Sequence, residues 1–75
     1  MKATGNAVQD VMTELSRANS KFPPFHSAHE GYAVLKEEVD ELWDEVKKRD
    51  HDKGLMRKEA IQIAAMAIKF IESVC

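Results

Sequence analysis

The sequence has one cysteine among its 75 residues, Cys75, and this shortage excludes two kinds of stabilisation. An internal disulfide needs two cysteines, and a zinc site built from cysteines needs several. Hydrophobic residues at 44% and charged residues at 32% are instead typical of a soluble globular protein. A chain of this length buries only about 60% of its unfolded surface on folding, so we expect one domain, residues 1–75, with a thin core.

Long hydrophobic runs and concentrated positive charge are also absent. No stretch approaches the roughly 18 consecutive apolar residues of a membrane span, and the first ten residues lack the apolar centre of a signal peptide. We therefore expect a cytoplasmic protein with no membrane partner. The net charge of -2 argues against nucleic acid as a partner, because phosphate-backbone binding depends on clustered Lys and Arg.

The pattern of apolar residues predicts an all-α fold. The predicted helices span about 6–19, 28–49 and 55–74. Asn6 with Gln9 forms a weak capping box for the first helix. That helix should end before Pro23 and Pro24, since proline lacks an amide donor and pushes its predecessor toward extended geometry.

The second predicted helix begins at a full capping box, Ser27-Ala28-His29-Glu30. Its end near residue 49 is suggested by the basic run 47–49, which suits the negative end of the helix dipole. Residues 50–54 should form the turn to the third helix.

The second helix carries an apolar stripe beside an acidic strip. The stripe follows helical spacing and consists of Leu35, Val39, Leu42 and Val46. The acidic strip has the same spacing and consists of Glu38, Glu41 and Glu45. Because the strip borders the stripe rather than lying opposite it, the carboxylates should border whatever this helix packs against.

The third helix is apolar on most faces. Between Ala60 and Ile71 its only polar residues are Gln62 and Lys69. Two partner helices from the same short chain can hardly enclose such a helix, so we predict a homodimer or homotetramer in which it lies centrally.

The polar residues of the third helix lie on one line that includes Glu59 and Gln62. An antiparallel packing of the second and third helices would bring Glu59 close to Glu38 and Glu41. Converging carboxylates cannot all stay charged unless a cation neutralises them, and oxygen ligands favour Mg²⁺ or Mn²⁺. The alternative is a solvated acidic surface without a metal, because acidic residues at this spacing are common on ordinary helix faces.

Sequence order favours the metal site. The segment Y-A-V-L-K-E-E-V-D-E-L-W-D-E-V, followed by K-E-A-I-Q-I-A-A-M-A-I-K-F-I, resembles the MazG-like family of all-α nucleoside triphosphate pyrophosphatases. Upstream, F-P-P-F-H-S-A-H-E-G-Y extends the resemblance to residues 22–71. The family carries E-E-x-x-E on one helix and E-x-x-D on the next, and its dimers or tetramers use these carboxylates to hold Mg²⁺.

The resemblance implies specific roles for the acidic residues. The first motif falls on Glu37, Glu38 and Glu41, and the second begins at Glu59. Its final aspartate is replaced by Gln62, which removes one negative charge but keeps a carbonyl ligand. These five residues are the predicted metal ligands, and Glu38 and Glu41 are the predicted catalytic residues. Glu45 is interpreted as a surface group or an outer support for the site.

Four basic residues are candidates for binding the substrate phosphates. Three of them lie near the start of the third helix: Lys53, Arg57 and Lys58. A solvated basic turn is the favoured alternative for these three residues. Lys69 could meet a phosphate or pair with an acidic residue, and the sequence does not decide between these. Trp43 is interpreted as an interface residue rather than a base-stacking platform.

The resemblance therefore predicts a Mg²⁺-dependent pyrophosphohydrolase that converts nucleoside or deoxynucleoside triphosphates to the monophosphate and pyrophosphate. The alternative is a non-catalytic helical oligomerisation or interaction module that keeps the fold while Gln62 weakens the metal site.

Overall fold

A computed structural model of the chain describes residues 3–75. Three helices account for most of them: α1 (Ala3–Lys21), α2 (Ala28–Val46) and α3 (Lys53–Val74). No strand occurs within the described range. The predicted all-α fold is therefore confirmed, whereas the assembly of several chains stays a prediction.

Helix α3 lies between the other two. It packs against both α1 and α2, whereas the backbones of α1 and α2 do not approach each other closely within residues 3–75. The fully buried apolar residues are few: Leu15, Ala18, Ala65 and Met66. The core is thus as thin as the chain length suggested. None of the helices in residues 3–75 combines the length and apolar composition of a membrane-spanning segment.

Helices α2 and α3 run antiparallel and approach closely at one end. Gly31, early in α2, is buried, and a Cβ built on it would lie 2.6 Å from Phe70 Cδ2, late in α3. The same Cβ would lie 3.0 Å from Phe25 Cδ2. The corner between α1 and α2 is held here as well, because the amide of Phe25 donates to Ser73 Oγ at 3.2 Å. This packing fixes where α2 places its carboxylates along α3.

The predicted bounds of α1 are wrong at both ends. The helix already includes Ala3, so Asn6 lies inside it and does not cap it. No proline precedes Asn6, and nothing else in the sequence stops the helix there. At the other end α1 continues to Lys21, and the amide of Phe22 still donates to the carbonyl of Ala18. Pro23 then ends the helix for the predicted reason.

The predicted capping box at the start of α2 forms in part. Ser27 Oγ accepts from the amide of Glu30, as predicted. The carboxylate of Glu30 accepts from the amide of His26, one residue before the position that a capping box would use. The helix ends at Val46 rather than near residue 49, with Lys47 as its cap. The basic run 47–49 therefore follows the helix, and Lys47 and Lys48 pair with the acidic residues Asp44 and Glu45 of its last turn.

Helix α3 begins two residues earlier than predicted. Asp52 caps it, since Asp52 Oδ1 accepts from the amide of Leu55 at 3.0 Å. The sequence signal was an aspartate directly before the helical pattern, which is a strong N-cap preference. The predicted turn over 50–54 overlooked it.

The apolar stripe of α2 is divided between two surroundings. Leu35 packs against the core, whereas Val39 is 48% exposed. Tyr32 and Trp43 share the outward side with Val39, at spacings of seven and four residues, and both are more than half exposed. The inward face of α2 instead includes the acidic strip. One chain thus leaves an apolar ridge on α2 uncovered, which we call the α2 ridge (Tyr32, Val39, Trp43 and Val46).

Candidate metal centre

Three glutamates from two helices meet where the middle of α2 crosses the first half of α3. Glu38 and Glu41 lie one turn apart on α2, so their side chains leave the same face. Glu59 lies in the second turn of α3 and faces them because the helices are antiparallel. One carboxylate oxygen from each of the three lies within 4.8 Å of the others. This is the juxtaposition that the spacing predicted.

Two of these carboxylates are incompletely satisfied by the protein. Glu38 Oε1 and Glu59 Oε1 are shielded from solvent and have no hydrogen-bond partner among the described residues. A buried carboxylate oxygen without a partner is costly, and most such atoms in proteins are paired with a donor, a water or a metal. Glu41 is exposed and completes the cluster from the solvent side. The arrangement suits a hard cation that is held by oxygen atoms and keeps part of its water shell.

The electrostatics of the cluster resist full ionisation. Burial, followed by the negative charge of Glu41, raises the pKa of Glu38 from its ordinary value of 4.5 to about 7. Burial and Glu41 also raise the pKa of Glu59, while the nearby Lys58 offsets part of that rise. A divalent cation would reverse this effect, because it favours the charged form of every carboxylate around it.

The other predicted ligands lie at the edge of the cluster. Glu37 is exposed and does not join the three carboxylates that converge. Gln62 is half-buried one turn after Glu59 and lines a cavity together with Glu38. Glu45 is half-buried and pairs with Lys48 at 2.9 Å, and its charge is close enough to contribute to the raised pKa of Glu59.

The four basic candidates fall into two groups. Lys53, Arg57 and Lys58 lie near the start of α3, and Arg57 is paired with Asp10 of α1 at 2.9 Å. Arg57 and Lys58 line a cavity that also includes Gln62. Lys69 lies far from them, near the other end of α3, where it is only 4% exposed. The structure thus does not bring all four to one place.

A cavity of about 330 Å³ extends from Glu38, the one member of the acidic cluster in its lining, to Lys69. Its lining includes Glu38 and Gln62 at one end and Lys69 with Phe22 and Phe25 at the other. Phe22 and Phe25 are lining residues for which the sequence pattern predicts no role. The F-P-P-F segment was the signal, but only the packing of that corner onto α3 shows which surface it covers.

Comparisons with protein-family models, with curated proteins and with solved structures found no significant match to this chain. The assignment of a function therefore depends on the residues and their geometry.

Proposed function

We propose that this chain is a MazG-like nucleoside triphosphate pyrophosphohydrolase that uses Mg²⁺, with Mn²⁺ as a possible substitute. The observation that carries the proposal is the convergence of Glu38, Glu41 and Glu59, with two carboxylate oxygens that no protein donor satisfies. These three residues are among the five positions that the family motif assigns to metal binding. The substrate would be a nucleoside or deoxynucleoside triphosphate.

The residues have distinct parts in this proposal. Glu38 and Glu59 would hold the cation from the buried side and Glu41 from the solvent side. Gln62 would ligate through its carbonyl oxygen or hold a coordinated water, and Glu37 would contact outer waters. The cation would offset the charge that develops on the phosphate oxygens during hydrolysis. A carboxylate of the cluster, Glu38 or Glu41, would orient the attacking water and accept its proton.

The second cavity gives the triphosphate a place to extend. Lys58 and Arg57 lie on the side of Gln62 away from Lys69, and both could contact phosphate oxygens. Arg57 would have to share its guanidinium with Asp10 or leave that ion pair, which is exposed and therefore weak. Lys53, exposed at the start of α3, would add positive charge nearby.

A pyrophosphate-release assay over a panel of ribo- and deoxyribonucleoside triphosphates tests the proposal. We expect release with Mg²⁺ and a monophosphate as the second product. The matched control replaces Asp40, an exposed acidic residue of α2 that pairs with Lys36, by asparagine. Absence of pyrophosphate release for every nucleotide, with both Mg²⁺ and Mn²⁺, would contradict the enzymatic proposal.

The proposal includes a homodimer or homotetramer. The α2 ridge leaves four large apolar side chains uncovered in one chain, and Ile71 of α3 is 60% exposed as well. A contiguous apolar ridge of this kind is typical of a surface that associates. Sedimentation should give a particle larger than 8.5 kDa, and Trp43→Glu should shift it toward the monomer. A monodisperse monomer of the unmodified chain would contradict this part.

The second candidate is the non-catalytic interaction module. It is favoured by Gln62, which leaves the cluster with one carboxylate fewer than the family motif, and by the α2 ridge. An interaction module would assemble normally, would gain no stability from Mg²⁺ and would release no pyrophosphate.

A further inference from the structure

Lys69 is a buried cation without an anionic partner. Its residue is 4% exposed, and no described carboxylate oxygen lies within 4.0 Å of its ammonium group. The ammonium lies 5.0 Å from the centre of the Phe25 ring and 5.9 Å from that of Phe22. Contacts with ring faces stabilise a cation only in part. A donor group is therefore held in an apolar setting with its hydrogen-bonding capacity unused by the protein.

The space next to Lys69 has the form of a small ligand pocket. The cavity of about 330 Å³ is walled near Lys69 by Phe22, Pro23, Phe25 and Met66. This volume lies at the lower end of the range for small-molecule sites, which are mostly apolar with a few placed polar groups. The ammonium of Lys69 beside these apolar walls fits that description, and the other charged groups that line this part of the cavity, Arg17 with Glu14 and Glu30 with the amide of His26, are already paired.

The pocket is continuous with the candidate metal centre, because Glu38 and Gln62 line the same cavity. Seven residues of α3 separate Gln62 from Lys69, which corresponds to about 10 Å along the helix. A ligand that filled the cavity would therefore extend from the carboxylates to the aromatic end.

We propose that the aromatic end of this cavity holds the nucleobase of the substrate, and that Lys69 donates a hydrogen bond to a carbonyl oxygen of that base. This inference rests on the proposed function for the position of the phosphates at the acidic end. A polyphosphate would need several free donors. Arg17 also lines the cavity, but its guanidinium is paired with Glu14, which leaves the ammonium of Lys69 as the free cationic donor beside the apolar walls. A planar base suits the walls, and its carbonyl oxygen suits the ammonium.

The chemistry of lysine predicts a preference among bases. An ammonium group donates and cannot accept hydrogen bonds. Uracil and guanine offer carbonyl oxygens on their edges, whereas the corresponding edge of adenine carries an amino donor beside its ring nitrogen. Adenine has no carbonyl oxygen, so the ammonium could donate only to a ring nitrogen, and beside N1 or N7 it would also face the amino donor. We expect this to weaken binding about tenfold or more relative to uracil or guanine.

Binding of nucleoside monophosphates tests the inference without any turnover. Calorimetry would compare UMP, GMP and AMP, and the expected result is tighter binding of UMP and GMP than of AMP by about tenfold or more. Equal affinity for all three, including no measurable binding of any up to millimolar concentration, would overturn the inference. Stabilisation by inorganic phosphate that depends on Lys69 would also overturn it, in favour of a phosphate site.

Two variants extend the test. Lys69→Met keeps a long apolar side chain and removes the donor, so it should abolish the difference between UMP and AMP. Val34→Met narrows the cavity from α2 and should weaken all three monophosphates alike. The control is Lys47→Met, which removes an exposed lysine that is paired with Asp44 and should leave the preference intact. A preference for UMP that persists in Lys69→Met would overturn the role of Lys69.

The outcomes separate this inference from the proposed function. If Lys69→Met changes monophosphate binding but no triphosphate releases pyrophosphate, the base pocket stands and the enzymatic proposal fails. If pyrophosphate is released with no preference among bases and Lys69→Met leaves the KM unchanged, the enzymatic proposal stands and the base pocket fails. A Lys69→Met variant that raises the KM for UTP without lowering kcat would support both.

Discussion

The cavity that Glu38 and Lys69 both line has an acidic end and a cationic end, and the protein leaves both incompletely paired. At the acidic end, Glu38 and Glu59 each keep an oxygen without a partner, and Glu41 adds repulsion. At the aromatic end, the ammonium of Lys69 lies between two phenyl rings with no carboxylate close enough to pair. The repulsive cluster calls for a cation, and the isolated ammonium calls for an acceptor. These opposite needs are the basis of the proposal that one extended ligand binds here with a metal ion at its acidic end.

The strongest way to separate the two ends is to remove one charge from the acidic end. Glu41→Gln keeps the size of the side chain and removes a ligand charge from the exposed position of the cluster. We expect pyrophosphate release to fall by about 100-fold or more, a typical loss when a group that moves protons or binds the catalytic ion is removed. Binding of UMP at the aromatic end should change little.

The control for this experiment is Asp40→Asn, which removes an exposed carboxylate from the same helix. It breaks only the surface pair with Lys36 and should retain nearly full activity. Equal losses in Asp40→Asn and Glu41→Gln would mean that the helix needs its overall charge and that no specific site exists.

The aromatic end can be disturbed through Gly31 without touching a carboxylate. An added Cβ would lie 2.6 Å from Phe70 Cδ2 and 3.0 Å from Phe25 Cδ2, so Gly31→Ala must displace at least one ring. We expect a loss of about 1–3 kcal/mol in the free energy of unfolding, as for other overpacked cores. Chemical denaturation measures it, and UMP binding should weaken because Phe25 is a wall of the pocket.

Gly54→Ala is the matched control, since its added Cβ would meet only Asp52 Oδ1, at 3.1 Å. Alanine is the better helix former, so this change should lie within about 1 kcal/mol of neutral. A harmless Gly31→Ala would show that α2 and α3 can separate at this end and that the pocket walls are not fixed.

The sequence predicted the acidic end well and the aromatic end poorly, for a physical reason. Glu38 and Glu41 share a face by helical periodicity, and an antiparallel hairpin of helices leaves few places for Glu59. These are local rules that operate within one or two elements. The surroundings of Lys69 depend on how a proline corner from residues 22–25 folds onto the last turns of α3, almost 50 residues later. No spacing rule predicts that contact.

The helix ends and faces also divide into features that local sequence rules predict and features that depend on packing. Ser27 was recognised as a cap because its motif is local, whereas Asp52 was missed within a run of polar turn residues. Val39 and Val46 were assigned to a packed stripe, and only the angle between α2 and α3 places them on the outward α2 ridge. A second chain that covers the α2 ridge stays a prediction.

Gln62→Asp sharpens the comparison by adding charge next to the acidic cluster. A fourth carboxylate should lower the melting temperature of the metal-free protein, because like charges in a half-buried site repel. It should also tighten Mg²⁺ binding, by about tenfold on the scale of other changes around metal sites. Thermal unfolding with and without Mg²⁺ measures both effects. A variant that loses Mg²⁺ affinity would show that the Gln62 amide has a role of its own.

The raised pKa of Glu38 makes the stability of the acidic end depend on pH. Because its pKa rises from 4.5 to about 7, the folded state holds a proton that the unfolded state has released over this range. The metal-free protein should therefore lose stability as pH increases from about 4.5 to 7. Mg²⁺ competes with that proton, so its stabilising effect should grow over the same range.

Melting temperatures at several pH values, with Mg²⁺ and with a chelator, check the pH dependence. Glu38→Gln should remove most of the slope in the metal-free protein, whereas Asp40→Asn should retain it. A metal-free stability that increases steadily between pH 5 and 7 would contradict the environment described for Glu38.

The smallest expected effect concerns the aromatic end in the absence of any ligand. An unpaired buried ammonium costs free energy, and replacing buried charge by an apolar side chain of similar size is often neutral or stabilising. Lys69→Met should therefore raise the free energy of unfolding of the ligand-free protein by about 1 kcal/mol, although it removes the contacts with the Phe22 and Phe25 rings. Lys47→Met, at an exposed site, should change it by less. A gain in stability that accompanies weaker UMP binding would mean that Lys69 is retained for a ligand. A clear loss of stability would instead mean that the contacts of Lys69 with the two rings stabilise the fold. In that case the two ends of the cavity would not be alike.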